Sequence, residues 1–238
     1  MLGGKAMRFG IDQGDLHTHE GRVSLFKLLC RFRPEHVWAS PVCKPWSRWS
    51  HFNSQRSLES WDRIHTERQD MLIQVALCFV LSRHQVRHQR HMHWEQPKGS
   101  AMMTLPYLQE IYQYMKPAKP DLCQAGDLRD PINHHHMRKG LNITTSSQRM
   151  FDELDPLKCP GDHVHQPIEG STHADGQSIA RSAFSEVYPR RFARRVAKTM
   201  LKKSFPKEKP TKTVRWKLYE FTELDELQHV YNPSITCL

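Results

Sequence analysis

The order of apolar and polar residues along the chain predicts strands that alternate with helices. Apolar residues recur at helical spacing over residues 20–32 and 58–82. Short apolar runs bounded by turn residues predict strands, and these runs are residues 7–11, 36–40, 91–95, 120–125 and 141–145. Since such an alternation favours parallel pairing, we expect an α/β domain with a Rossmann-like, mostly parallel sheet.

The second half of the chain predicts a basic helix and a tail. Ser100 is expected to cap a helix over residues 100–114, and a further helix is expected over residues 184–203. A Lys- and Pro-rich stretch then predicts a linker, followed by alternating and helix-spaced apolar residues. The predicted organisation is an α/β domain over residues 1–203, a linker over 204–213 and a strand and helix appendage over 214–238.

Composition favours a polyanionic partner inside a cell. The chain has 35 Lys and Arg against 25 Asp and Glu, a net charge of +10 at pH 7, and only 38% hydrophobic residues. Nucleic acid is the natural partner of such a charge, although solubility alone also explains it. We find no apolar run that predicts a signal peptide or a membrane contact, and the scattered cysteines favour reduced thiols. A nuclear or cytoplasmic protein is expected.

A cysteine in a Pro-rich loop is the sharpest chemical feature. Cys43 follows the predicted strand 36–40, and Lys44 beside it favours the reactive thiolate. Because ligands bind at the carboxyl ends of parallel strands, the loops at 41–47 and 95–99 are expected to converge there. A purely structural loop cysteine is the alternative.

These loops resemble motifs of the cytosine-5 DNA methyltransferases. The residues that match that family's Pro-Pro-Cys, Glu-Asn-Val and Arg-rich motifs are Pro41, Cys43, Ser47, Glu95 and Arg138. Val42 replaces the second proline and Trp46 replaces a phenylalanine. In that family the first strand ends in a Gly-rich turn beside the cofactor. No counterpart of this cofactor turn precedes Met7, so the resemblance does not include it.

A second resemblance covers residues 8–201. This stretch is similar to a methyltransferase-like domain of copia-type retroelement polyproteins of dinoflagellate algae. The segments that carry the likeness are Gly14-Asp15-Leu16, Glu20-Gly21-Arg22, the Pro-Cys loop, Glu95-Gln96-Pro97, residues 121–126, residues 159–170 and Tyr188-Pro189. The likeness implies a methyltransferase-like fold and favours DNA over RNA as the partner.

The resemblance also implies roles for individual residues. Cys43 would attack ring carbon 6 of a cytosine, Glu95 would contact ring nitrogen 3, and Arg138 would steady the adduct. S-adenosylmethionine would supply the methyl group, and Asp12 or Asp15 would meet a hydroxyl of this cofactor, with a turn or a helix cap as the alternative for both. The missing turn leaves open a catalytically inactive, nucleic-acid-binding relic of a retroelement.

Cations and aromatic residues predict contacts with nucleic acid. Lys44 is expected to meet a phosphate, and the side chains of Trp46, Trp49 and Trp94 either stack on a base or pack in the core. In the C-terminal helix, 100° per residue places five cations on one side, and these are Arg191, Arg194, Arg195, Lys198 and Lys202. This side predicts either phosphate contact or an ordinary solvated face.

A Cys/His segment predicts a zinc site. Cys159, His163 and His165 offer three ligands, and Cys123 or His173 is the candidate for the fourth. Chance pairs are the alternative, because the chain has 16 histidines. Three functions therefore remain open: a DNA methyltransferase, an inactive nucleic-acid-binding relic, and a zinc-stabilised interaction domain.

Overall fold

A computed structural model describes residues 5–174 and 176–202, so the expected linker and appendage at 204–238 lie outside the described residues. The helices are α1 (His19–Phe32), α2 (Arg48–Ser54), α3 (Leu58–Arg87), α4 (Leu122–Gly126), α5 (Gln148–Leu154), α6 (Arg181–Phe184) and α7 (Arg190–Leu201). The strands are β1 (His36–Ala39), β2 (His91–Pro97), β3 (Lys116–Ala118), β4 (His136–Met137), β5 (Leu141–Thr145), β6 (His165–Gln166), β7 (Ser171–Ala174) and β8 (Gln177–Ala180). Shorter 3-10 segments are Lys44–Trp46, Ala101–Thr104 and Pro106–Gln113.

The central sheet has the strand order β1-β2-β5-β3 and is mixed. β1 and β2 are parallel, joined by the crossover helix α3, whereas β5 runs antiparallel to both β2 and β3. The fold is therefore α/β, but the prediction of a mostly parallel sheet is wrong. The chain between β2 and β5 contains two 3-10 segments, β3, the short helix α4 and β4 in place of a long crossover helix, and β5 enters the sheet from the opposite end.

The apolar pattern predicted most of the central elements. The structure confirms α1, β1, α3, β2 and β5 near their expected positions. Two of the predicted strands are wrong. Residues 7–11 form loop and turn, with Gln13 N donating to Gly10 O at 2.9 Å. The run at 120–125 is mostly helix α4, since a short apolar run suits either element.

The helix expected over residues 100–114 is replaced by two 3-10 segments. The hydroxyl of Ser100 donates to Oε1 of Gln96 at 3.0 Å and makes no cap, and Pro106 cannot continue a helix begun before it. The helix expected over residues 184–203 is divided into α6 and α7, with Pro189 at the start of the second.

Two apolar clusters make up the core. The first packs Val75 and Leu77 of α3 against Met92 and Trp94 of β2. The second joins β5 to α4, α5 and α7, and its fully buried members include Leu122, Leu141, Ile143, Met150, Leu154 and Phe192. Since neighbouring residues of a strand face opposite sides, Glu95 lies on the α7 side and its neighbour Trp94 on the α3 side.

Candidate metal centre and nucleic-acid interface

Four cysteine and histidine side chains meet beside the second apolar cluster. Cys123 lies on α4, Cys159 and His163 lie in the turn after α5, and His165 begins β6. Their ligand atoms all lie within 4.8 Å of one another. The structure thus selects Cys123 as the fourth member, while His173 is exposed on β7. This Cys/His cluster has the composition of a metal site.

The distances between the ligand atoms of the cluster fit tetrahedral coordination of a metal ion. The Nε2 atoms of His163 and His165 are 3.1 Å apart, and Sγ of Cys159 lies 3.6 and 3.4 Å from them, respectively. Sγ of Cys123 lies 3.5 Å from Nε2 of His165. Zinc bonds of ~2.05 Å to nitrogen and ~2.3 Å to sulfur give tetrahedral edges of about 3.3 Å between nitrogens and about 3.6 Å between nitrogen and sulfur.

Neighbouring groups orient the ligands. Nδ1 of His163 lies 2.7 Å from Oδ1 of Asp162, the carboxylate contact that fixes the ring of a metal-binding histidine. The amide of Gly161 lies 3.4 Å from Sγ of Cys159 and donates to it. Gly161 has a φ of +78°, which a side chain would strain, so the glycine permits this tight turn. Asp121 accepts from the amide of Cys159 at 3.0 Å.

Two ligands of the cluster have shifted pKa values. Burial, followed by the contact with Cys159, raises the pKa of the Cys123 thiol to about 12, so a bound metal would have to displace the thiol proton. Burial also lowers the pKa of His165, so its ring is neutral at pH 7 and has a lone pair to offer.

Between Leu154 and Phe192 no described apolar side chain is fully buried. A metal there would replace the apolar core that this segment lacks.

The second candidate site lies where β1 and β2 end. Burial raises the pKa of the Cys43 thiol, the nearby carboxylate of Glu95 raises it further, and the charge of Lys139 opposes the rise. The thiol is therefore the main form at neutral pH, contrary to the thiolate expected from Lys44. Glu95 is itself buried, and this burial raises the pKa of its carboxyl.

A chain of hydrogen bonds ends on Glu95. The hydroxyl of Tyr188 donates to Oε2 of Glu95 at 2.8 Å. Because this bond uses the only phenolic proton, the hydroxyl of Ser40 donates to Tyr188 at 3.0 Å. Nε1 of Trp38 donates in turn to Ser40 at 3.1 Å. Tyr188 and Lys139 are members of this site to which the motifs assigned no role, although both lie in segments that carry the resemblance.

Other predicted site residues lie elsewhere. Arg138 is exposed, and its charge lowers the pKa of His165 in the Cys/His cluster. The charge of Lys139 instead lowers the pKa values of Cys43 and Glu95. Asp12 accepts from the side chain of Gln13 at 2.6 Å. Asp15 accepts from the amide of His17 at 2.9 Å, in the turn that leads into α1. Both acids therefore make local turn contacts.

The basic face of α7, defined as Arg191, Arg194, Lys198 and Lys202, is exposed to solvent. Phe192 and Val196 anchor the opposite side of the helix in the core. The fifth predicted cation, Arg195, pairs with Glu153 of α5 at 2.6 Å. No described acid pairs with the four residues of the basic face, which line an open groove of about 630 Å³.

The three tryptophans near the Cys43 loop differ in exposure. Trp46 and Trp94 are 2% and 0% exposed and belong to the core. Trp49 is 56% exposed on α2. Lys44 is exposed at the start of the 3-10 segment after Cys43. Of these three tryptophans, only Trp49 is therefore available to a ligand.

Comparisons with protein-family models, with curated proteins and with solved structures give no match to this chain. Within residues 5–174 and 176–202, no helix has both the length and the apolar composition that crossing a lipid bilayer requires. The function must therefore be argued from the sites themselves.

Proposed function

We propose that this chain is a zinc-stabilised domain that binds nucleic acid through the basic face of α7. The observation that carries the binding function is the groove of about 630 Å³ beside that face. Glu153 and Arg195, which pair with each other, lie on its wall, and the four cations of the basic face line it without a described acidic partner. Guanidinium and ammonium groups in such a row suit the regularly spaced phosphates of a nucleic acid backbone. DNA is the favoured form, on the resemblance of the sequence alone.

Zinc is the metal that suits the Cys/His cluster. Cys123, Cys159, His163 and His165 would hold it through two sulfurs and two nitrogens, and Asp162 would orient His163. Four protein ligands leave no position for water or substrate, which is typical of structural zinc. The ion would tie α4 to the segment that contains β6 and so contribute to folding stability.

The zinc half of the proposal is tested by metal analysis of the purified chain. We expect one zinc per chain in the wild type and a large loss of zinc in Cys123→Ser. Cys78→Ser is the matched control, because Cys78 is also buried but lies in the α3 core. A zinc content that is equal in all three proteins, or absent from the wild type, would overturn this half.

The nucleic-acid half is tested by the salt dependence of DNA binding. Replacement of Arg191, Arg194 and Lys198 by Gln should weaken binding and reduce the slope of log K against log salt by about 2–3, since each lost phosphate contact removes ~0.9. The control replaces Lys27, Arg31 and Arg87, which are exposed on α1 and α3, and changes the net charge equally. Equal effects of the two triple variants would show that only net charge matters.

A second candidate function, covalent chemistry on a cytosine, is favoured by the convergence of Cys43, Glu95 and Lys139 at the ends of β1 and β2. Asp12 and Asp15 are committed to local turns, and no strand precedes α1 in the described residues. This arrangement does not fit S-adenosylmethionine, so we derive no methyl-transfer step.

The two candidates are separated by transfer of a labelled methyl group from S-adenosylmethionine to DNA, with wild type and Cys43→Ala compared. Label that depends on Cys43 would establish the enzyme. Salt-sensitive DNA binding without any label would support the proposed binding domain, which includes an inactive relic of a methyltransferase.

A further inference from the structure

Two large aromatic side chains project from α2 into solvent. Trp49 and Phe52 are each 56% exposed. Their rings contact each other edge to face, with centroids 6.1 Å apart. Since residues three apart share one side of a helix, the two rings form a single apolar surface. Exposed aromatic clusters of this kind mark binding sites more often than isolated apolar residues do.

Cations accompany these rings on the same stretch of chain. The guanidinium of Arg56 lies 6.0 Å from the ring centroid of Phe52. Lys44 and Arg48 are exposed on the same stretch of chain. We call this set, Lys44, Arg48, Trp49, Phe52 and Arg56, the α2 surface. No Asp or Glu occurs anywhere between His36 and Leu58, so the surface favours an anionic ligand with flat apolar groups.

The α2 surface is attached rigidly to the Cys43 loop. Ser47 caps α2 by accepting from the amide of Ser50 at 3.1 Å, and the hydroxyl of Ser50 donates to the carbonyl of Lys44 at 2.5 Å. Trp46, between the cysteine and the helix, is buried in the core. The exposed rings therefore belong to a helix that is anchored to the core, and their exposure does not come from an unattached segment.

We propose that the α2 surface stacks the unpaired bases of single-stranded DNA, with its cations on the adjacent phosphates. This deepens, and rests on, the proposed nucleic-acid function. Bases inside a duplex have no free faces, so only a single strand can use both rings. The hydroxyl of Ser50 donates to the carbonyl of Lys44 and that of Ser54 to the carbonyl of His51, so these two serines have no free proton for a ribose 2′-hydroxyl.

The test is fluorescence anisotropy with a labelled oligothymidylate of about 12 nucleotides, within the site size of single-strand binders, and with a duplex of matched length. In Trp49→Ala/Phe52→Ala, affinity for the single strand should fall about 10- to 100-fold, because stacking is lost. Duplex affinity should change less than about twofold, since stacking on bases plays no part there.

Two further variants separate stacking from loss of structure. Trp49→Phe keeps a flat ring and should retain most of the single-strand affinity. Phe32→Ala removes another exposed ring, 55% exposed on α1, and should leave binding unchanged. Equal losses for single strand and duplex, no loss for either, or tighter binding to the matching RNA would each overturn the proposal. No loss would point to a protein partner for this surface.

The two proposals fail in different ways. If the basic face of α7 is not an interface, its triple Gln variant will match its charge control while the α2 variant still loses single-strand affinity. If instead the α2 surface is not an interface, the α2 variant will bind both oligonucleotides as the wild type does while the α7 variant is weakened.

Discussion

Tyr188, in the turn before α7, donates a hydrogen bond of 2.8 Å to the buried carboxyl of Glu95 on the central strand β2. This bond connects the basic helix to the candidate site at Cys43. It also gives the carboxyl a partner, which a buried polar group requires if it is not to destabilise the fold.

Replacement of Tyr188 by Phe should lower the free energy of unfolding by about 1–3 kcal/mol, because Glu95 keeps its burial but loses its donor. Denaturant unfolding of the two proteins measures the difference. The adjacent Val187 is 77% exposed, so Val187→Ala should leave stability nearly unchanged. If both variants unfold like the wild type, the hydrogen bond contributes nothing to stability.

Asp162→Asn should weaken zinc binding by about 10- to 100-fold, as loss of a carboxylate behind a metal-binding histidine usually does. Competition with a chromophoric chelator measures the affinity. Asp62→Asn on α3 also removes an exposed carboxylate and serves as the control for charge. Equal affinities for the two variants would mean that Asp162 does not position His163.

Acid should destabilise the protein through His36 and His93. Burial lowers the pKa of His36 from 6.5 to about 4, with His91 and Arg149 adding to the effect and Glu35 opposing it. Burial also lowers the pKa of His93 well below 6.5. The unfolded chain takes up protons near pH 6.5 and the folded chain does not, so stability falls as the pH drops from about 6.5 towards 4.

Unfolding measured between pH 7.5 and 4 tests this expectation. In His93→Gln the loss of stability on acidification should be smaller than in the wild type, because one buried histidine no longer titrates. His134→Gln changes an exposed histidine and should follow the wild-type curve. Parallel curves for all three proteins would assign the acid sensitivity to other groups.

Gly21→Ala should destabilise the fold, although alanine is usually the better helix former. A Cβ at this position of α1 would lie 1.9 Å from the carbonyl oxygen of Asp15, so the preceding turn would have to move. We expect a loss of about 1–3 kcal/mol, as in other overpacked sites, measured by denaturant unfolding. Cys30→Ala, on an exposed position of the same helix, should be neutral or slightly stabilising.

The sequence predicted the positions of helices and strands better than it predicted the directions of the strands in the sheet. Apolar periodicity located α1 and α3, because helices of that length repeat the pattern several times. The runs of β1, β2 and β5 were also visible, since each is short, contains apolar residues and is bounded by turn residues. Nothing in those runs states that β5 is antiparallel, because direction depends on the path of the intervening chain. The short helix α4 was taken for a strand because a short apolar run suits either element.

The candidate sites were predicted most fully where their residues lie close in sequence, although the distant loops of Cys43 and Glu95 were also expected to converge. Cys159, His163 and His165 share one short segment, whereas Cys123 joins them only after α4 has packed beside it. Tyr188 is far along the chain from Glu95 and had no signal beyond its place in a resembling segment. Trp49 could be told from Trp46 only by burial, which depends on the tertiary fold.

The neighbours Arg138 and Lys139 influence the pKa values of two different sites. The charge of Arg138 lowers the pKa of His165 in the Cys/His cluster, and the charge of Lys139 lowers those of Cys43 and Glu95. Backbone hydrogen bonds hold both residues in place. The amide of Arg138 donates to the carbonyl of Gln166 at 3.2 Å, and the carbonyl of Lys139 accepts from the amide of Leu122 at 2.8 Å. Insertion or deletion of one residue between β4 and β5 would therefore shift the cations of both sites at once. In the evolution of this chain, single substitutions can alter either site alone, but a change in the length of this connection alters both.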